Sequence, residues 1–105
     1  MSKIQDVIIV KKNIIPDERG SIMHMIKKTD SEFIKFGEVY FSTAYPGVIK
    51  GWHLHTRQTQ NYVVVDGMIK LVLLDKRKGS NTYELLEEHY LGELNYSLCQ
   101  IPPGV

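Results

Sequence analysis

Cysteine is almost missing from this sequence. Cys99 stands alone among 105 residues, so no internal disulfide can form and a reducing compartment is the simpler setting. Excess charge of either sign is missing too, with 13 lysines and arginines facing 12 aspartates and glutamates. Without a basic block, neither nucleic acid nor a membrane surface is expected as the main partner. The clusters Lys11-Lys12, Lys27-Lys28 and Lys76-Arg77-Lys78 read as solvated turns and edges. Long apolar runs are also lacking. The stretch "MSKIQDVIIVKKN" carries an apolar run of only four residues. That is too short for a signal peptide's core or a transmembrane helix, and a cytoplasmic location is the expectation. Repeats, low-complexity tracts and internal linkers do not occur. A chain of this length makes one domain, residues 1–105, which buries roughly two-thirds of the surface its unfolded form exposes.

What is present is β-rich. Short apolar runs recur as "VIIV" at 7–10, "VYFSTA" at 39–44, "YVVV" at 62–65 and "LVLL" at 71–74. Gly, Pro, Asn or Asp separates most of them, the spacing of an all-β sandwich or barrel and not of alternating βαβ units. Asp66-Gly67 suits a type I′ turn, whose two central residues need positive φ, and predicts a hairpin between the flanking apolar strands. Residues 29–37, "TDSEFIKFG", predict one helical turn with Thr29 or Asp30 as its cap and Gly37 at its end. The sequence closes on "YSLCQIPPGV", a strand entering a Pro-Pro-Gly turn. A sheet ending there leaves an edge strand unpaired. The expectation is a domain incomplete at its C-terminal end, completed by further strands or by a second subunit.

Chemistry concentrates in "GWHLHTRQTQNYVVVDG", residues 51–67. His53 and His55 are one residue apart, so on a strand both imidazoles leave the same side. Such a pair can bind a metal, move a proton or pack. Read outward, Gly47, His53, His55, Gln60 and Gly67 are spaced in a way that resembles the first conserved motif of the cupin superfamily. Gln60 stands where metal-binding cupins usually carry Glu. Pro102 and Gly104 are similar to the start of the second cupin motif. Four stretches, in order, then resemble one family, the dTDP-4-dehydrorhamnose 3,5-epimerases. "PDERGSI" is similar to their Asp-x-Arg-Gly-x-Phe, and "GVIKGWH" to their Gly-Val-x-Arg-Gly-Leu-His, with Lys50 for Arg and Trp52 for Leu. "DKRKGSNTY" resembles their Asp-x-Arg-x-x-Ser-x-Thr-Phe, and "LNYSLCQIPPG" the strand that enters their Ile-Pro-x-Gly turn.

The resemblance implies an all-β cupin jelly roll (a double-stranded β-helix) with its last strands absent from this chain. It implies a homodimer acting without metal or other cofactor on a nucleotide-linked 4-keto-6-deoxy sugar, in cell-surface polysaccharide (O-antigen or capsule) synthesis. The protons on C3 and C5 of such a sugar are acidic because each carbon adjoins the C4 carbonyl. His53 aligns with the family's histidine base, and imidazole titrates near neutrality, as a reversible base must. Gln60 falls where the family places a lysine beside the enolate oxygen. An amide donates a hydrogen bond there but brings no charge. Arg19 aligns with an arginine that contacts the diphosphate. Lys50, His55 and Arg77 are further candidates for binding substrate; Lys50 keeps the family's charge without the bidentate fork. The family's tyrosine acid and the aspartate that orients the histidine follow the Pro-x-Gly turn.

Each residue has a plainer reading. A lone strand histidine is more often structural, and His24 and His89 are read that way. Arg19 can be a solvated turn residue, and Arg77 can pair with Asp75. Trp52 and Tyr62 fit core packing, Gln60 can be a core amide satisfied by backbone, and Cys99 reads as buried and inert. Two other functions compete with epimerisation. One is a metal-dependent cupin isomerase or oxygenase using His53, His55 and Gln60, although three neutral ligands make a poor site for a hard metal. The other is a non-catalytic sugar-nucleotide binding module.

Overall fold

The computed structural model describes residues 2–105. Among them are seven strands and no helix: β1 (Ile8–Lys11), β2 (Ile14–Asp17), β3 (Gly20–Met23), β4 (Gln60–Tyr62), β5 (Met68–Leu74), β6 (Leu86–Gly92) and β7 (Ser97–Ile101). Every pairing is antiparallel. β1, β7 and β4 form one sheet in that order, while β2–β3 and β5–β6 are two-stranded. The all-β expectation is met.

β7 organises the domain. All five of its residues are buried, and it carries apolar side chains on both faces, the pattern of a central strand. It pairs with β1 through Ile9↔Cys99 and with β4 through Asn61↔Gln100. The final strand is therefore not the unpaired edge that the sequence suggested; β1 and β4 are the edges of this sheet. On one face, Cys99 and Ile101 join Ile4, Val7, Leu73, Leu91 and Val105 in a single apolar cluster. The N-terminal segment, the β5–β6 hairpin and the Pro-Pro-Gly turn thus meet over β7, where each fully buried aliphatic side chain contributes about 1.5–3 kcal/mol.

Gln100, between Cys99 and Ile101, leaves the opposite face. Its Nε2 donates to the Glu32 carbonyl at 2.6 Å and to Asn61 Oδ1 at 2.9 Å. Lys12 Nζ reaches Glu32 Oε1 at 2.5 Å and Asp30 Oδ2 at 3.1 Å. These bonds explain why residues 29–37 do not form the expected helical turn. Two successive tight turns replace it, Asp30 N donating to Lys27 O and Phe33 N to Asp30 O. Asp30 Oδ2 also accepts the Lys27 amide. It closes the chain backward where a helix cap would reach forward, and Glu32 is brought to Lys12.

Two further expectations change. The 62–74 stretch is not a hairpin, because β4 pairs with β7 and β5 with β6. Gly67 has φ +77° but Asp66 does not share the positive region, so the turn is not type I′. Glu93 holds it elsewhere: the Glu93 amide donates to Gly67 O at 3.1 Å, and Gly67 N donates to Glu93 Oε1 at 2.7 Å. Gly67 therefore sits against the end of β6 while the chain crosses between sheets. The run "VYFSTA" forms no strand either. Residues 34–59 contain no ladder pairing, and most of their apolar side chains are exposed. β-favouring residues make a strand only where a neighbour supplies the hydrogen bonds.

Candidate functional site

The histidine pair lies in this unpaired segment. His53 is exposed and His55 half-buried. One hydrogen bond fixes them to the fold, the Gly104 amide donating to the His55 carbonyl at 2.8 Å. Just beyond, Gln60 opens β4 opposite Ile101. The histidine segment and Gln60 thus both meet the end of β7 and the turn that follows it. Tyr62 lies two residues along the same strand, on the same face as Gln60. Burial pushes its phenol above the usual range, and Tyr40 nearby adds to this. Tyr62 therefore stays protonated at neutral pH.

The cationic candidates bond within their own surroundings. Arg19 occupies the β2–β3 loop, where its amide donates to Asp17 Oδ1 and its Nη2 to Asp17 Oδ2 at 2.9 Å. The guanidinium is otherwise open to solvent. Lys50 Nζ donates to Ser42 Oγ at 2.9 Å and to the Thr43 carbonyl at 2.8 Å, closing its loop on itself. Arg77 is engaged most fully. Its Nε and Nη2 fork onto Asp75, Nη1 donates to Asp6 Oδ2, and Nη2 also donates to the Gln5 carbonyl. The structure thus brings the His55 backbone and Gln60 to the end of β7 and the turn after it, with His53 exposed, while Arg19 and Lys50 bond within their own loops and Arg77 bonds to Asp75, Asp6 and Gln5.

Around Arg77 lies a network that sequence reading touched but did not resolve. Asp75 is fully buried and accepts from Arg77, Ser80 and Thr82. Those bonds, the Arg77 fork first, hold its carboxyl well below the usual range. The signal was the Ser and Thr of "DKRKGSNTY". Their inward turn onto one carboxylate is visible only in the fold. Cys99 is buried as expected, and burial pushes its thiol up to about 12. His89 contacts Glu87, which also binds the amides of Lys3 and Ile4. A cleft of about 210 Å³ is lined by Lys11, Lys12, Asn13, His24, Ile26, Lys27 and Asp30, away from the histidine pair. Among the described residues no three His, Cys, Asp or Glu side chains converge as a metal site would require, and no helix is long and apolar enough to cross a membrane.

The sequence profile of the dTDP-4-dehydrorhamnose 3,5-epimerases matches residues 1–105. The chain belongs to this family. It is 35% identical over 89 residues to the spore coat polysaccharide biosynthesis protein SpsL of Bacillus subtilis (strain 168), covering 85% of this chain and 59% of that protein. It is 31% identical over 104 residues to the probable low-salt glycan biosynthesis epimerase Agl13 of Haloferax volcanii, covering 97% of this chain and 67% of that one. The crystal structure of a dTDP sugar isomerase from Desulfovibrio desulfuricans G20 superposes with a TM-score of 0.93 at 37% identity, over 95% of this chain and 64% of that one. The fold is accordingly the all-β cupin type of this epimerase family, and relatives act in polysaccharide biosynthesis. The chain spans about three-fifths to two-thirds of the length of these relatives.

Proposed function

We propose that this chain serves the epimerisation of a nucleotide-linked 4-keto-6-deoxy sugar, in the cytoplasm, toward a cell-surface polysaccharide such as O-antigen or capsule. His53 takes the proton from the carbon next to the C4 carbonyl. The electron pair moves onto the carbonyl oxygen as an enolate, and a proton returned to the other face inverts the centre. Gln60 donates to the enolate oxygen. Arg19 and Lys50 lie along the diphosphate, His55 contacts the substrate, and a second copy of the chain completes a homodimer. No cofactor is needed, because the carbonyl itself acidifies the C–H bond. The observation that carries this reading is the Gly104–His55 hydrogen bond, which holds the His-x-His segment against the Ile-Pro-Pro-Gly turn. Both segments are family motifs.

Incubation of the protein with a nucleotide-linked 4-keto-6-deoxy sugar in D₂O tests it. Deuterium should enter at C3 or C5, since exchange needs only the base and an acidified C–H. His53→Asn keeps the size but removes the titrating group, so incorporation should fall by about a hundredfold or more while binding survives. Binding without exchange, with His53→Asn indistinguishable from wild type, would remove the catalytic reading. The binding-module reading would then take its place, and the uncharged Gln60 at the enolate position already favours it. Loss of exchange with chelator, together with one equivalent of transition metal, would instead support the metal-dependent cupin.

A further inference from the structure

Residues 34–59 hold the histidine pair and have no strand partner. Among the described residues, the bond from Gly104 N to His55 O is the sole hydrogen bond joining this segment to the rest of the chain. What places Gly104 therefore places the histidines. Gly104 has φ +90°, and a Cβ there would lie 2.5 Å from Arg77 Cγ and 3.1 Å from Cδ. Its carbonyl accepts the Lys76 amide at 3.0 Å. The turn thus lies directly on the Arg77 methylenes, with no room for a side chain between them.

Arg77 is itself immobilised at the other end. Its guanidinium forks onto Asp75 at 2.9 Å through both Nε and Nη2, and its remaining bonds tie it to Asp6 and Gln5. Gln5 is held again, its amide by Thr82 Oγ1 and its side-chain oxygen by the Asn81 amide. A guanidinium with its donors committed in this way has little left for a phosphate.

We infer that Arg77, anchored by Asp75, is a positioning residue: it seats Gly104, Gly104 holds the His55 carbonyl, and the His53–His55 segment is thereby fixed over the end of β7. Its consequence for catalysis rests on the reading of His53 as the base. The mechanical link does not, and it reassigns Arg77 from the diphosphate to the scaffold beneath the site.

The test compares wild type, Arg77→Lys and Gly104→Ala by three measurements on the full-length protein. These are amide exchange at position 104 relative to the β7 amides of Leu98 and Cys99, the imidazole resonances of His53 and His55, and titration with dTDP. Lysine keeps the charge but loses the fork. In Arg77→Lys, the Gly104 amide should exchange about tenfold or more faster relative to β7. The histidine resonances should move, and dTDP affinity should stay within about twofold. Where substrate protons exchange with solvent, the rate at saturation should drop while KM holds. Should Arg77→Lys not fold, Gly104→Ala leaves the Asp75 fork in place and should move the same histidine resonances. A tenfold or greater loss of dTDP affinity with Gly104 protection intact would overturn the inference in favour of a phosphate ligand. Equal acceleration of Gly104 and the β7 amides, with the histidine resonances unmoved, would overturn it in favour of a merely structural pair. If wild type binds no dTDP, the nucleotide reading fails, and the amide and imidazole comparison still decides the link.

Discussion

A carboxylate shut away from water is costly unless its lone pairs are taken. Asp75 meets that condition by accepting from the Arg77 amide and Nε at Oδ1, and from Arg77 Nη2, Ser80 and Thr82 at Oδ2. Its folded carboxyl is held below its ordinary value, and the unfolded one titrates near pH 3.9. The stability this supplies is complete above about pH 4 to 5 and is lost as pH falls further, toward the folded value. Asp75→Asn turns one acceptor into a donor facing other donors and leaves the guanidinium unpaired. It should cost about 3 kcal/mol at pH 7, as breaking a buried pair generally does. The deficit should shrink below about pH 4, where wild type loses the same interaction. Urea unfolding at pH 7, 5 and 3 reads both effects, and a deficit constant with pH would contradict the assignment. The histidine pair could be picked out in the sequence because two residues at i and i+2 carry their geometry with them. Asp75 was legible only as a partner for Arg77; the inward turn of Ser80 and Thr82 onto it, and the hold that Gln5 and Asp6 keep on Arg77 from some seventy positions away, belong to the fold.

At the scale of elements the same distinction holds. The runs "VIIV" and "LVLL" were legible as strands, and Ile8–Lys11 and Met68–Leu74 are strands. Which strand neighbours which was not legible. Asp66-Gly67 favours a local hairpin, yet β4 goes to β7 because that strand is buried on both faces and needs partners on both edges. "VYFSTA" has the right residues and no partner. Gly92 shows what fixes the observed crossing. It ends β6 opposite Met68, and a Cβ there would lie 2.0 Å from Gly67 O and 2.5 Å from Met68 Sδ. The turn can approach β6 this closely only over a glycine. Gly92→Ala should therefore destabilise the fold by about 2 kcal/mol or more, since backbone has to move to admit the methyl. Glu93→Gln, which keeps an oxygen for the Gly67 amide, should be much milder. A Gly92→Ala urea midpoint equal to wild type would mean that the turn does not rest against β6 in solution.

At the scale of the molecule, the segment carrying the histidines sets the surface. A compact monomer of this length exposes about 6,000 Å², whereas this chain exposes 8213 Å². Its radius of gyration is 14.5 Å, against about 13 Å for a compact domain of this size. The excess is apolar in character: Phe41 and Ile49 are more than nine-tenths exposed, and Phe36, Tyr40, Tyr45 and Trp52 more than two-thirds. Soluble monomers rarely expose so many large apolar side chains within one segment. Two copies each covering about 2,000 Å² would share an interface of about 4,000 Å², within the range of obligate homodimers. The backbone of 34–59 also offers unpaired donors and acceptors that a second chain can take up as strand pairing. The homodimer proposed above would use this face, with the histidine segment next to the partner. Sedimentation should show a dimer at micromolar concentration. Replacing Phe41 and Ile49 together with Ser should weaken the dimer by about a hundredfold or more, while the amides of β7, whose bonds lie within one chain, remain protected. Wild type that sediments as a monomer and binds no apolar dye would defeat the dimer. Dissociation of the double variant with loss of β7 protection as well would show instead that core and interface fold as one unit.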